Sequence, residues 1–197
     1  MDLQHAQKIA IGAGGIAASG WLATDKDTLD AVDRSNFLRY WKPNSIKAFV
    51  AEHVWEHLTE SEAIQANANC YEFLRAGGRL RIAVPDGFHP EPGYIEYVRP
   101  GGTGLGSDDH KVLYNYQSLK KLLEQAGFIV QLLEYWDEHG HFYFKEWSSK
   151  DGHIRRSKRY DPRNQNRSLA YTSLIADAIK PARHTVFLRH CKFNWKS

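Results

Sequence analysis

His53, Glu56 and His57 spell H-x-x-E-H, an arrangement in which two imidazoles four residues apart can hold zinc if a helix presents them on one face. Here the first histidine closes an apolar run, 45–53, so the two rings are expected to face differently and no metal site is expected. His110 offers other chemistry: an imidazole in a glycine-rich stretch can take a proton near neutral pH or anchor its loop. Farther on, Arg155, Arg156, Lys158, Arg159, Arg163 and Arg167 crowd a segment whose one acid is Asp161. Guanidinium forks suit an anionic ligand, and a solvated hairpin or a protein contact is the alternative. Near the N-terminus, residues 8–15 read KIAIGAGG, an apolar run that breaks into Gly12, Gly14 and Gly15. Lacking Cβ atoms, these residues let the chain turn sharply and approach a ligand, as at the nucleotide site beside a parallel sheet.

The elements that must carry these groups alternate between strand and helix. Residues 8–11 form a strand, 21–25 a second ending at Asp25, and 28–33 a third; 35–45 are a loop or short helix. Residues 45–53 are a stronger strand. Thr59 with Glu62 gives a capping box for a helix over 59–75, stopped by Gly77 and Gly78. A strand over 79–85 ends at Pro85-Asp86, and the glycines and prolines of 87–110 predict a long irregular excursion. An amphipathic helix covers 116–127. Aromatic strands at 128–136 and 142–147 read as a hairpin, and 169–179 as a last helix ended by Pro181. This order describes a doubly wound α/β sheet, mostly parallel, with a C-terminal antiparallel hairpin strand. Ligands of such sheets bind at the carboxyl ends of the strands, so the 87–110 excursion is expected to cover a substrate there.

The chain has 197 residues, 42% hydrophobic and 25% charged, enough for one well-buried domain. A core over 1–150 with an inserted loop at 87–115, and an extension over 151–197 packed on it, are expected. No apolar run reaches membrane-spanning length. The run 9–18 lacks the preceding positive cluster of a leader peptide. Cys70 and Cys191 make no disulfide framework, Cys70 falls on the core face of a helix, and a cytoplasmic location fits. A net charge of +3 does not by itself point to nucleic acid.

Taken together, IAIGAGG, GWLATD, AFVAEHVWEHL, FLRAGGRLRIAVPD and SLKKLLEQAGF, in this order across residues 8–147, resemble the class I S-adenosylmethionine-dependent methyltransferases, in their short type 11-like branch. The resemblance implies a Rossmann-like methyltransferase sheet and S-adenosylmethionine as cofactor. Gly12, Ala13 and Gly14 would lie against the methionine part of that cofactor. Asp25 would accept from the ribose hydroxyls, and Asp30 would lie near the adenine, with Asp33 the competing assignment. Glu52 and His53 would line the cleft. The expected function is methyl transfer to an unidentified acceptor, a small molecule or sugar. His110 is its candidate catalytic base, and Tyr94, Tyr97, Arg99, Arg155 and Arg156 are its candidate substrate contacts. Two departures stand out: the acid that many members carry two positions before the first glycine is Ala10, and the last glycine of the fuller turn is absent. They leave room for a non-catalytic binding module of the same fold. A nicotinamide oxidoreductase is the other alternative, because 12–17 also fits G-x-G-x-x-A. Its acid is due some twenty residues past the turn, and Asp25 comes too early.

Overall fold

The computed structural model describes residues 3–15, 17–164 and 169–182; Arg167 and Cys191 lie outside the described residues. Side chains alternate across the sheet with period two. On β3 (Ile46–Glu52), Phe49 and Ala51 enter one core cluster while Ala48 and Val50 enter another on the opposite face. Among the described residues the sheet has seven strands. With β1 (Lys8–Ile11), β2 (Leu22–Ala23), β4 (Leu74–Pro85), β5 (Ile129–Trp136), β6 (Phe142–Phe144) and β7 (Ser173–Ile179), their order is β2-β1-β3-β4-β7-β5-β6. The first four are parallel. β7 is antiparallel to both β4 and β5, and β6 folds back on β5 as a hairpin.

One face is covered by α1 (Arg34–Tyr40), α2 (Glu60–Phe73) and α4 (Tyr116–Gln125), which bury Phe37, Cys70, Phe73, Leu119 and Leu123 against the strands. Burial pushes the Cys70 thiol up, as suits an inert core residue. Thr59 and Glu62 form the expected capping box, and Asn115 with Ser118 forms a second. No helix among the described residues covers the other face. Trp21, Trp147 and Ile154 fill it instead, from the short link between β1 and β2 and from the segment after β6. Arg81 anchors that segment. Its guanidinium is 1% exposed and bidentate to Asp177 on the neighbouring strand (2.7 and 2.8 Å). It also donates to the carbonyls of Ser148 (2.9 Å) and Gly152 (2.7 Å) and lies over the Trp147 ring.

Four expectations need correction. Residues 28–33 are not a strand: the carbonyls of Ala31 and Val32 are held by the Asn69 side chain of α2, both at 2.9 Å, and Asp33 caps α1 through Ser35 N–H. α2 does not run to the glycine pair but passes at Leu74 directly into β4, and Gly77 and Gly78 shape an irregular stretch of that strand, Gly77 donating to the Lys180 carbonyl. The 87–110 stretch is not wholly irregular. It contains α3 (Pro92–Val98), with proline at its first position, where no intrahelical donor is needed. Finally, 169–179 is not a helix; 173–179 form β7. A strand buried on both faces reads as a continuous apolar run, which periodicity cannot separate from a buried helix.

Candidate functional site

β1 ends where three glycines with positive φ turn the chain: Gly12 (61°), Gly14 (57°) and Gly15 (77°). At Gly12 a Cβ would lie 2.5 Å from a methyl of Val54, just beyond β3, so both the backbone angle and the space demand glycine. The turn is tied to the end of β2. Ala13 N–H donates to the Thr24 carbonyl (2.9 Å), and Gly14 N–H to the Asp25 carboxylate (2.8 Å). Asp25 is thus brought to the glycine turn, with one oxygen engaged in holding it.

Two cavities open along the carboxyl ends of β1, β2 and β3. The first, about 500 Å³, is lined by Asp25, Asp30, Val32, His53, Val54 and His57 among others. Asp30 holds its own turn by accepting from Val32 N–H (2.9 Å). Asp33 is absent from this wall, being occupied as the helix cap. The second, about 390 Å³, starts from the same Gly12 and His53 and adds Ala13, Gly14, Glu52 and His110, with Arg155 and Arg156 opposite. Tyr97 also lines it. The 87–110 excursion and the basic segment therefore meet over the glycine turn.

Glu52 explains how the basic segment reaches the sheet. Its carboxylate accepts from Arg155 N–H (3.0 Å) and Arg156 N–H (2.8 Å), with both guanidinium groups within 4 Å. His53 follows with φ 57°, a conformation that costs a non-glycine residue on the order of 1–3 kcal/mol and clusters at functional sites. One ring nitrogen meets Ser173 Oγ (2.9 Å), and the other lies 3.1 Å from the Glu56 carboxylate. His57, four residues on, turns away to Asp109 (3.2 Å) and packs edge-on to His110, ring centres 4.7 Å apart. The two histidines of H-x-x-E-H do face differently.

Two expected substrate contacts are not brought to the glycine turn. The Arg99 side chain is clasped by Glu96, one turn back on α3 (2.7 and 2.8 Å), and lines neither cavity. Tyr94 is 6% exposed and its hydroxyl is used twice, donating to the Thr172 carbonyl (2.9 Å) and accepting from Asp86 N–H (3.1 Å). It lines instead a neighbouring cavity of about 630 Å³ with His89, Trp136, Arg163 and Tyr171, the last two shared with the 390 Å³ cavity. In the basic segment, Arg163 pairs with Asp161 and stacks on Tyr171 at 3.4 Å, while Arg159 pairs with Glu146.

Sequence reasoning did not single out Asp86 or Tyr171, and it named Arg163 only as one of the basic segment's cations. Asp86, at the mouth of β4, is buried and accepts from Trp136 N–H (2.8 Å) and Phe88 N–H (3.0 Å). Burial pushes its carboxyl up to about 6 against those two bonds. Its place after the last apolar residue of a central strand was the available signal. Tyr171 carried none, because the strand that follows it reads as a helix in the sequence.

No protein-family model matches the sequence, and no curated protein sequence does. Similarity is found among solved structures. A S-adenosylmethionine-dependent methyltransferase of Thermotoga maritima, described as a possible histamine N-methyltransferase, superposes with a TM-score of 0.51 at 15% identity, over 88% of this chain and 72% of that one. The S-adenosylmethionine-dependent methyltransferase SibL, in its apo form, gives 0.51 at 10% identity, over 91% of this chain and 52% of SibL. A complex from Haloferax volcanii, of a methyltransferase activator with its methyltransferase partner, gives 0.50 at 10% identity over 92% and 85%. With the strand order above, these likenesses give the chain the Rossmann-like fold of the class I S-adenosylmethionine-dependent methyltransferases.

Proposed function

We propose that the protein is an S-adenosylmethionine-dependent methyltransferase whose acceptor enters beside His110. One observation carries this reading: two cavities share Gly12, His53 and His57, one with Asp25 and Asp30 on its wall, the other with His110, Arg155 and Arg156. The residues fit the cofactor, because a turn that excludes a Cβ at Gly12 lies between a carboxylate-bearing cavity and a cationic one. Gly12, Ala13 and Gly14 would hold its methionine end, Asp25 the ribose and Asp30 the adenine side. A charged carboxylate accepting from a hydroxyl contributes about 1.5–3 kcal/mol before desolvation. When bound, the cofactor supplies an electrophilic methyl group on a sulfonium.

The chain's own part is positioning. Glu52 locks the Arg155–Arg156 backbone above the turn, so the two guanidinium groups present positive charge to an anionic or polar acceptor. His110 donates from Nδ1 to the Val98 carbonyl (2.7 Å), which leaves a lone pair on Nε2 as the basic atom of the acceptor side. Alignment of acceptor and methyl lowers much of the barrier without further chemistry. A small molecule or a sugar is the acceptor class we favour, for a cavity of this volume.

Calorimetry with S-adenosylhomocysteine tests the reading. Binding is expected, with Asp25→Ala weakening it by about ten- to a hundredfold, or 1.4–2.8 kcal/mol. Asp25→Asn, which keeps an acceptor for Gly14 N–H, should lie between. Binding of a nicotinamide dinucleotide without S-adenosylhomocysteine would select the oxidoreductase; binding of neither would select the non-catalytic module.

A further inference from the structure

The structure assigns a divalent transition-metal site to Glu56, His57 and His110, on the wall of the 390 Å³ cavity. One ligand atom of each lies within 4.8 Å of the others, although His110 is distant in sequence from the other two. The main chain brings them together. Lys111 N–H donates to the Glu56 carbonyl (2.7 Å), so the residue after His110 is bonded directly to the Glu56 backbone.

Each member is prepared in a different way. The Nδ1 atoms of both histidines are committed to oxygens, His110 to the Val98 carbonyl (2.7 Å) and His57 to the Asp109 carboxylate (3.2 Å). An imidazole whose Nδ1–H is so engaged holds its Nε2 lone pair free and fixes its ring, the usual arrangement behind a metal-ligating histidine. Glu56 is 0% exposed, and neither of its carboxylate oxygens has a hydrogen-bond partner among the described residues. His53 Nδ1 lies 3.1 Å from one of them but not in hydrogen-bonding geometry. A buried carboxylate without a hydrogen-bond partner is expensive, and a cation at the ligand cluster is what relieves it. The cluster is thus not the H-x-x-E-H pair. His53 turns to Ser173, and His110 takes the place that spacing alone assigned to His53.

Two imidazoles and one carboxylate suit a borderline cation such as Zn²⁺ or Co²⁺ rather than Mg²⁺ or Ca²⁺, which prefer oxygen throughout. At metal–ligand distances of about 2.0–2.2 Å tetrahedral ligand atoms stand roughly 3.4 Å apart, so the three atoms, up to 4.8 Å from one another, must close by about 1 Å on binding. Three protein ligands leave a coordination position open toward the cavity. In one respect the inference rests on the methyltransferase reading: an acceptor hydroxyl at that position would be acidified by the cation, which makes a hydroxyl-bearing acceptor the substrate class and His110 a ligand rather than a base.

The test uses the untagged full chain, stripped with a chelator and titrated with Zn²⁺ and then Co²⁺. One equivalent is expected, with a visible Co²⁺ absorption band. His57→Ala and His110→Ala should abolish stoichiometric uptake. Glu56→Gln should do the same with the fold retained in thermal melts, since it keeps the side chain's shape and removes a buried charge. Asp109→Asn, at an exposed position, should weaken binding about 10–100-fold. His139→Ala with His141→Ala, a surface pair elsewhere, should change nothing. Absence of stoichiometric uptake by the wild-type chain overturns the site, as does uptake undisturbed by all three ligand substitutions. Calorimetry of the stripped chain with S-adenosylhomocysteine separates the two readings. Cofactor binding without metal uptake overturns the site alone, and metal uptake without cofactor binding overturns the methyltransferase reading alone.

Discussion

Gly12→Ala tests the glycine turn with a magnitude that the geometry supplies. The new Cβ meets two penalties of different origin. Its φ of 61° is left-handed, which costs an L-residue roughly 1–2 kcal/mol. It also lies 2.5 Å from Val54 Cγ2, about 1 Å short of ordinary contact, and such overpacking costs about 1–3 kcal/mol. The loss of stability should therefore be about 2–5 kcal/mol. Only the second penalty depends on Val54. Its Cγ1 would be 3.4 Å away and its Cβ 3.6 Å, so Val54→Ala removes the clash and leaves ordinary contact. Val54→Ala alone should cost about 1–2 kcal/mol through its lost methyl groups. The double variant should then be more stable than the sum of the singles by about 1–3 kcal/mol. Urea denaturation of the four proteins measures that coupling, and S-adenosylhomocysteine affinity should fall in Gly12→Ala and recover in the double variant. A coupling within about 0.5 kcal/mol of zero would refute the steric account.

Two further predictions concern buried charge. Arg81→Ala should destabilise the chain by up to about 3–5 kcal/mol, because the buried Asp177 keeps only the partly exposed Arg79 (3.2 Å) as a partner, whereas replacing Arg81 and Asp177 together by apolar residues of similar volume should cost much less; denaturation midpoints decide, and equal losses would refute the role given to the buried charge. The Asp86 carboxyl, raised from 3.8 to about 6, makes the native chain bind more protons than the unfolded chain between those values. Stability from this group is therefore greatest below about pH 4 and falls as pH rises through 6, by at most about 3 kcal/mol. Asp86→Asn should lose that dependence, so the stability difference between wild type and variant should change between pH 7.5 and 4.5; a constant difference would place the Asp86 carboxylate in a wetter site than the structure does.

Local signals carried the parallel half of the fold. Thr59 with Glu62 and Ile46 to Glu52 announce their elements through caps and apolar runs that depend on neighbours in sequence. Elements defined by distant partners stayed hidden. Ser173 to Ile179 is a strand because β4 and β5 flank it, and no residue within it says so. Residues 28–33 fail to be a strand because Asn69 of α2 takes their carbonyls. The site divides in the same way. Gly12, Asp25 and His53 stand at ends of strands, where sequence position alone suggests a role. The engagement of Arg99 by Glu96 and of both sides of the Tyr94 hydroxyl is visible only in the fold, because neither partnership follows from sequence position. The convergence of His110 on His57 depends on a backbone bond between Lys111 and Glu56, for which no spacing rule exists.

The seating of β7 between β4 and β5 bears on how the molecule is made. A ribosome delivers β4, then α4 and β5, and only then the strand that joins them. Until residue 173 has emerged, β4 and β5 each present an open row of amide and carbonyl groups, the kind of edge that recruits other chains. Arg81 waits as well, since its carboxylate partner lies 96 residues downstream. Closing the sheet across that separation is entropically slow, so the nascent protein passes through a period in which its most aggregation-prone surfaces are exposed together. Chains interrupted before β7 should be the species that chaperones and proteases retain, and the last of the described strands to be synthesised is the one that releases the protein from their care.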